Sequence, residues 1–438
     1  MLKVGNLINL EQVKNSLSTN LQSFRGMISS KNPDIFLGLD IGTEQVKAVL
    51  AKYIPDNGKL EVIATGQAKQ GLSDMQSGTI TDISGVITNC DQAIREAESK
   101  SDQIAKRVVI GIAGELVQGN SFELRYQRKD PEIEIGKLET QDVLSKLQAK
   151  GLDKAREDIS WETGQKNLDI RLLNSAITQI IIDGYQITNP IGFKGEHVTL
   201  RAFNAFAPMI HIAAVETIAK NLDLSLVAIA AEPFAIAKSV QELGKEATSA
   251  VFIDIGGGTT DIAIVSEGGV AGTKMFALGG RSFTRALANI FSLSFDRAEE
   301  LKLAYSEGRL SPDKTKKVKK ALSSVVELWL EGVKLSLEEF ENLDQLPNRI
   351  LLCGGGSKLA DLTTVLDDKA WHKEVGFSRS PVIKHIKKAQ IPRVNDPLDL
   401  AKGPEYITPL ALLSLSLDTV TSDPNSNILS RFNQVIKK

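Results

Sequence analysis

The sequence has little of what builds disulfide frameworks, metal sites or membrane spans. Of 438 residues only two are cysteine and four are histidine. Cys90 and Cys353 lie far apart, which excludes a disulfide framework and suits a reducing compartment. His197, His211, His372 and His385 each stand alone, with no second His or Cys at zinc-ligand spacing. Each therefore reads as a surface or satisfied core histidine. The longest apolar runs, such as 180–182 and 227–231, fall far short of the ~20 residues that cross a bilayer. Neither sign of charge dominates: 52 Lys and Arg face 54 Asp and Glu, a net charge of −2. Such a chain has no global electrostatic drive toward nucleic acid. No GxSxG elbow and no GxxxxGK[ST] loop occurs, so neither a triad hydrolase nor a Walker-type NTPase is indicated. The first 24 residues lack a basic start followed by a continuous apolar stretch, and no secretory leader is expected.

What is present is an ordinary folded composition, 42% apolar and 24% charged. The length predicts two to four domains. Residues 1–33 carry Leu7, Leu10, Leu17, Leu21 and Phe24 at helical spacing before the break at Asn32 and Pro33. Strands are expected at 35–38, 45–52, 60–65 and 107–114, with a helix over 82–100. Residues 115–208 change character, with a charged helix near 139–149 and strands at 173–184 and 198–207, and read as a compact helix-plus-sheet unit. Helix 211–222, strand 226–229 and a helix from Glu232, with Pro233 in its permissive first turn, follow. Strands 250–255, 262–266 and 349–353 are separated by largely helical stretches at 281–306 and 313–341. An apolar helix over 405–417, a polar linker over 418–427 and an amphipathic end complete the pattern.

One arrangement occurs twice: FLGLDIGTEQVKAVL and VFIDIGGGTTDIAIV. Each places Asp, then Gly and Thr, at the exit of a buried strand, and an internal duplication into two similar α/β halves accounts for both. Polyphosphate must be approached closely by backbone N–H groups, for which Gly leaves room. Threonine hydroxyls add hydrogen bonds, and a carboxylate beside them holds Mg²⁺ through its waters. Asp40, Gly42 and Thr43 fit one jaw; Asp254, Gly256, Gly257, Gly258, Thr259 and Thr260 fit the other. Gly354, Gly355, Gly356 and Ser357 offer a flat surface for a base or ribose. Lys47, five residues past Gly42 on the second arm of its hairpin, is not expected to be a ligand.

These three turns resemble the phosphate-1, phosphate-2 and adenosine turns of the actin-like ATPase superfamily. Within it the chain is similar to the FtsA family, bacterial membrane tethers of the FtsZ division ring, over about residues 34–438. RVVIGIAGELVQG (107–119), IIDGYQITNPIGFKGEHVTLRAFNAFAP (181–208), residues 279–284 with AEELKLAY (298–305), and 404–413 carry the likeness. The resemblance implies an α/β, duplicated actin-like ATPase fold: two RNase H-like domains around a nucleotide cleft, with an inserted subdomain 1C. It implies subdomain 1A over 34–105, 209–244 and 386–417, 1C over 106–208, 2A over 245–284 and 346–385, and 2B over 285–345. ATP and Mg²⁺ would occupy the cleft, with Asp40 and Asp254 facing the metal's water shell and Gly279 and Gly280 on the nucleotide wall. Glu299 and Lys302 match positions at ribose or adenine; a solvated helix face is the alternative. Glu232 either orients or deprotonates an attacking water or is an acid favoured by a helix N-terminus. FtsA relatives are poor ATPases, so at most weak Mg²⁺-dependent hydrolysis is expected, with binding and polymerisation the main activity.

Ile428, Leu429, Phe432, Val435 and Ile436 share one helical face edged by Arg431, Lys437 and Lys438. This suits an anionic membrane surface, with docking on the body or on a partner as the alternative. The five side chains give about 5–7 kcal/mol gross, much of it offset by ordering, so polymerisation would make the attachment multivalent. The family implies partners: the FtsZ C-terminal peptide on 2B, other copies of the chain in a filament, anionic inner-membrane lipid, and further division proteins on 1C. It implies a place on the inner face of the cell membrane at the division site. The basic run Lys314, Lys316, Lys317, Lys319 and Lys320 is either a solvated face or part of a partner surface. Residues 1–33 are open among a membrane contact, a partner helix and a cap. A PilM-like adaptor of type IV pilus assembly is the rival reading. A kinase or chaperone ATPase on the same fold lacks an acceptor-base motif or a C-terminal peptide-binding domain.

Overall fold

The computed structural model describes residues 35–114, 116–165, 168–240, 249–340 and 343–420. The extension of residues 1–33 and the apolar face of Ile428, Leu429, Phe432, Val435 and Ile436 lie outside the described residues. The first half opens with β1 (Ile35–Ile41), β2 (Gln45–Ile54) and β3 (Lys59–Lys69), then a short hairpin, β4 (Met75–Gln76) and β5 (Thr79–Ile80). Helix α1 (Ile83–Ser101) starts where the Asp82 carboxylate accepts the N–H groups of Ser84 and Gly85. It leads to β6 (Arg107–Ile112). An inserted stretch follows: β7 (Gln118–Gln127), α2 (Lys137–Thr163), β8 (Ile170–Ile182), β9 (Tyr185–Gln186) and β10 (His197–Pro208). The first half resumes with α3 (Met209–Asn221), β11 (Ser225–Ala231) and α4 (Glu232–Ser239).

The second half contains β12 (Ala250–Ile255), β13 (Thr260–Ser266), β14 (Gly269–Phe276), α5 (Gly280–Phe291), α6 (Phe295–Ser306), α7 (Pro312–Glu338), β15 (Arg349–Cys353), α8 (Ala360–Leu366) and β16 (Val382–His385). The chain then returns to the first sheet with β17 (Val394–Asn395) and α9 (Ile407–Val420).

The two sheets repeat one topology. In the first, β11 and β6 run parallel to β1, and β2 and β3 follow antiparallel. In the second, β16 and β15 run parallel to β12, and β13 and β14 follow antiparallel. The central strands β1 and β12 are buried along their whole length, which is why both read as unbroken apolar runs around an Asp. Helix α9 closes the first half. Gly38 on β1 has no side chain because a Cβ there would lie 2.6 Å from the Pro409 carbonyl and 2.8 Å from Leu413. In the second half Trp329 on α7 is fully buried, and its indole N–H donates to Thr260 Oγ1 at 2.9 Å.

Three local features go beyond the sequence reading. Residues 281–306 form two helices, because Ser292 takes a left-handed conformation (φ 53°) and Ser294 caps α6. The closing helix begins after a 3-10 turn and runs to Val420, into the expected linker. Asp418 is drawn onto the body there by Lys238 at 2.6 Å and Arg393 at 2.7 Å. The inserted stretch is not a separate sheet: β7 pairs with β14 through Gly272–Asn120 and Thr273–Gly119, making one sheet of nine strands. A Cβ on Gly119 would lie 2.2 Å from Thr273 Oγ1, so only glycine allows this approach.

Candidate functional site

The hairpins β1–β2 and β12–β13 place their chemistry by register. Asp40 lies directly opposite Lys47, and Asp254 directly opposite Asp261. Opposed residues on an antiparallel ladder share a face, so each hairpin turns a pair of ionisable side chains into the gap between the halves. Lys47 Nζ donates to Asp40 Oδ2 at 2.9 Å, with both side chains largely buried. Lys47, not expected to be a ligand, lines the cleft. Asp261 was not marked as a ligand and lines it too. The signal for both was the spacing of seven from each turn aspartate. Glu232, the first residue of α4, completes the floor; it packs on Gly111, where a Cβ would lie 2.6 Å from Glu232 Oε1.

Four carboxylates and one ammonium thus share a buried floor. Burial pushes Asp254 up to about 6, helped by the Asp40 charge and opposed by the Thr408 hydroxyl, which donates to Oδ2 at 2.6 Å. Burial and the charge of Asp254 push Asp261 up to about 7, against a 2.9 Å hydrogen bond from Thr259. Burial and repulsion from Asp40, Asp261 and Asp254 hold Glu232 well above the usual carboxylate range. Burial disfavours the charged form of Lys47, yet Asp40, Asp254 and Glu232 outweigh it and raise its pKa. A crowd of buried acids, three of them resisting ionisation, is what a hydrated divalent cation relieves. Among the described residues no three His, Cys, Asp or Glu side chains are arranged to chelate an ion by themselves. A cation here would be shared with phosphate oxygens and water.

The hairpin tips meet. A Cβ on Gly257 would lie 2.6 Å from Glu44 Cβ, and one on Gly258 would lie 2.7 Å from Thr43 Oγ1. Gly78 N–H also donates to Thr43 Oγ1 at 3.3 Å. The start of α5 is seated on the second tip, with Gly280 N–H on Gly256 O at 2.9 Å and Arg281 N–H on Gly257 O at 2.7 Å. The Arg281 guanidinium crosses to the first half. It donates to Glu44 at 2.7 Å and to the carbonyls of Gly71, Leu72 and Met75 at 3.3–3.4 Å, and the residue is 5% exposed. Nothing in the sequence marks this contact, whose partners lie 237 positions apart.

The other end of the cleft is built on Gly354, whose φ of 80° favours glycine and where a Cβ would lie 2.1 Å from Asp254 Oδ1. Gly354 N–H donates to Pro404 O at 3.0 Å, and Lys358 pairs with Glu405 at 2.5 Å, both joining the halves. Gly355, Gly356 and Ser357 line the cleft, with the Ser357 hydroxyl turned back to Gly354 O at 2.7 Å. Glu299 and Lys302 face the cleft rather than open solvent. The Lys302 ammonium donates to Glu299 at 2.7 Å, Thr284 Oγ1 at 2.9 Å and Gly280 O at 3.0 Å.

Asp40, Gly42, Thr43, Asp254, Gly256, Gly257, Thr259 and Gly280 all line the same cleft, of about 1070 Å³. Thr260 does not. Alternation along β13 turns it to the opposite face, where Trp329 donates to its hydroxyl and it donates to Leu278 O at 2.7 Å. Gly258 and Gly279 serve the turn's packing, against Thr43 and against Gly256 and Thr259.

Two halves of one topology, their hairpin tips meeting above an acidic, glycine-walled cleft, define the actin-like ATPase fold. PilM in the PilM–PilN type IV pilus biogenesis complex shares it, with a TM-score of 0.57 at 19% identity, over 87% of this chain and 98% of that one. The chain thus has the fold of the actin-like ATPases. In sequence it is similar to the FtsA proteins of bacterial cell division. The sequence profile described as Cell division protein FtsA matches residues 251–411, and that of MreB/Mbl protein matches 202–297. Cell division protein FtsA of Enterococcus hirae is 25% identical over 347 residues, 74% of each chain. That of Pseudomonas aeruginosa is 25% identical over 416 residues, 89% of this chain and 91% of its own. No helix among the described residues is long and apolar enough to cross a membrane.

Proposed function

We propose that this chain binds ATP with Mg²⁺ in the cleft, polymerises on the cytoplasmic membrane and tethers FtsZ filaments to it. The observation that carries the nucleotide reading is the pair of equivalent hairpins, whose Asp40–Lys47 and Asp254–Asp261 pairs converge beneath touching glycine tips. When bound, the Mg²⁺–ATP pair supplies the positive charge and the polyphosphate that this floor and these tips complement. The N–H groups of the turns at Gly42 and Gly257 would donate to phosphate oxygens. Lys47 would offset their negative charge, and Asp40 and Asp254 would accept hydrogen bonds from the metal's waters. Gly354, Gly355, Gly356 and Ser357, facing Glu299 and Lys302, would hold the nucleoside. Glu232 Oε1 would take the proton of a water at the cleft floor. Its carboxyl resists ionisation until a cation arrives, which fits slow hydrolysis.

The FtsA relatives support the division role. In this reading residues 106–208 act as subdomain 1C and residues 285–345 receive the FtsZ tail. Ile428, Leu429, Phe432, Val435 and Ile436 form the membrane face, and filament formation makes many weak attachments stable. Sedimentation with anionic liposomes and Mg²⁺–ATP, beside a chain ending at Asp423 and liposome-free controls, tests the tether. The full chain should pellet with lipid and the shortened one should not. If neither pellets with lipid, the terminal helix is a docking element and a pilus-type adaptor becomes the better reading.

A further inference from the structure

Helix α4 carries Glu232 as its first residue, yet its entry lacks a side-chain cap from its own sequence. What holds it comes from the inserted strands. Strand β11 lies at the edge of the first sheet, so the outward N–H of Ala231, its last residue, has no strand neighbour. Asn174 on β8 fills that place: its Oδ1 accepts the Ala231 N–H at 2.8 Å. The register of β8 against β10 slips beside it, pairing Ala205 with Asn174 and Phe206 with Leu172. Leu173 is the extra residue and packs into the first half's core. One step along α4, Phe234 stacks on Phe203 of β10, with ring centroids 5.2 Å apart and planes within 3°.

Asn174 is fully buried and its Nδ2 has no hydrogen-bond partner. Asn204, opposite Ser175 on β10, is equally buried; it accepts the Ser175 hydroxyl at 2.7 Å, and its Nδ2 also lacks a partner. Interior strand positions filled by asparagine, with amide N–H groups unmet, gain nothing by packing. The acceptor that Asn174 supplies to Ala231 is the contact that accounts for it.

We propose that Asn174, seconded by Phe203, is a positioning residue that fixes Glu232 over the cleft floor, so that the inserted segment sets the geometry of the hydrolytic carboxylate. The inference rests on the reading of the cleft as an ATP site with Glu232 acting on water. Ala231 adopts φ −62° and ψ 123°, the turn from strand to helix that aims the next side chain inward. Without the hydrogen bond from β8 this joint is free to rock, and Glu232 loses its seat against Gly111.

The test uses the full chain with Asn174→Leu, which keeps volume and removes the acceptor, and Asn174→Asp, which keeps the acceptor. Thr178→Val, a change further along β8, serves as control. Nucleotide affinity is read with a fluorescent ATP analogue and hydrolysis by single turnover. The Glu232 carboxyl titration is read by infrared difference spectra against Glu232→Gln. Asn174→Leu should bind the analogue as the parent does and lose hydrolysis on the order of 10–100-fold. It should add nothing to Glu232→Gln when the two are combined, and should move the Glu232 titration toward the ordinary carboxylate range as water enters. Asn174→Asp should restore most of the rate, and Thr178→Val should leave rate and titration unchanged. An unmoved Glu232 titration in Asn174→Leu, or losses that add to those of Glu232→Gln, would overturn the proposal. If the parent does not bind the analogue, or if Glu232→Gln hydrolyses as the parent does, the underlying reading of the cleft fails. The titration then still decides whether Asn174 positions Glu232.

Discussion

Replacing Asp261 by Asn should make the nucleotide-free protein more stable, and by an amount that depends on pH. The Asp261 carboxyl is 6% exposed and sits opposite Asp254 on the same ladder. Its pKa rises from 3.8 to about 7 through burial and the Asp254 charge. The sign follows from proton counting. Below pH 3.8 both folded and unfolded chains hold the proton, and the group contributes nothing. From there to about 7 the unfolded chain has ionised while the folded chain has not, so stability falls by about 1.4 kcal/mol per pH unit. Above about 7 both are ionised and the penalty levels at about 4 kcal/mol. Asn never ionises, and its Oδ1 still accepts the Thr259 hydroxyl. The variant should therefore exceed the parent in stability, and the gap should widen by about 3 kcal/mol between pH 5 and pH 8. Asp254, raised to about 6, adds a slope of the same sign that ends about one pH unit lower and that both proteins share. Urea unfolding at several pH values, without nucleotide, measures the gap, and Mg²⁺–ATP should narrow it. A gap that stays constant with pH, or a variant weaker at pH 8, would mean that the floor is not a set of mutually repelling buried acids.

Substitutions at two further residues probe the same cleft. Lys47→Ala removes the ammonium that pairs with Asp40 on the floor; Mg²⁺–ATP affinity by calorimetry should fall about 10–100-fold, as for loss of a charged hydrogen bond. It should also push Asp254 and Glu232 further up, since Lys47 opposes the rise in both. Arg281→Ala cuts the link from α5 to Glu44 and the 71–75 loop. It should cost about 3 kcal/mol in unfolding, because a mostly buried carboxylate loses its partner, and should speed nucleotide release in stopped-flow displacement. Arg281→Lys should recover little, since a single ammonium cannot span Glu44 and three carbonyls at once.

The repeated strand–turn–strand segments were legible because their signal is local: a buried strand, an aspartate and a glycine turn within fifteen residues. From them the duplicated fold and most of the cleft wall follow. Counting the ladder outward from each turn would also have found Lys47 and Asp261, and would have turned Thr260 away, since alternation decides which side chains face in. Other features carry no local mark. The Arg281 clasp depends on how two distant segments dock, and the Asn174 contact on an open sheet edge that exists only once the halves are assembled. The joining of β7 to β14 needs two glycine-bearing strands to meet, and neither looks unusual alone.

That short join has a mechanical consequence. The insert is moored at both ends: to the first half through Asn174, Phe203 and the core residues Leu173 and Ala205, and to the second through two ladder pairs, the Ser121 hydroxyl on Val270 O and the Arg201–Glu267 ion pair. A rotation of one half against the other would load that seam first, while the β7–β10–β8 ladder continues beyond it. A small change at the cleft would then be read as a larger displacement at the insert's exposed far tip, near Tyr185 and Phe193. In a filament, neighbouring copies would feel the state of the cleft as a change in reach rather than as a chemical signal.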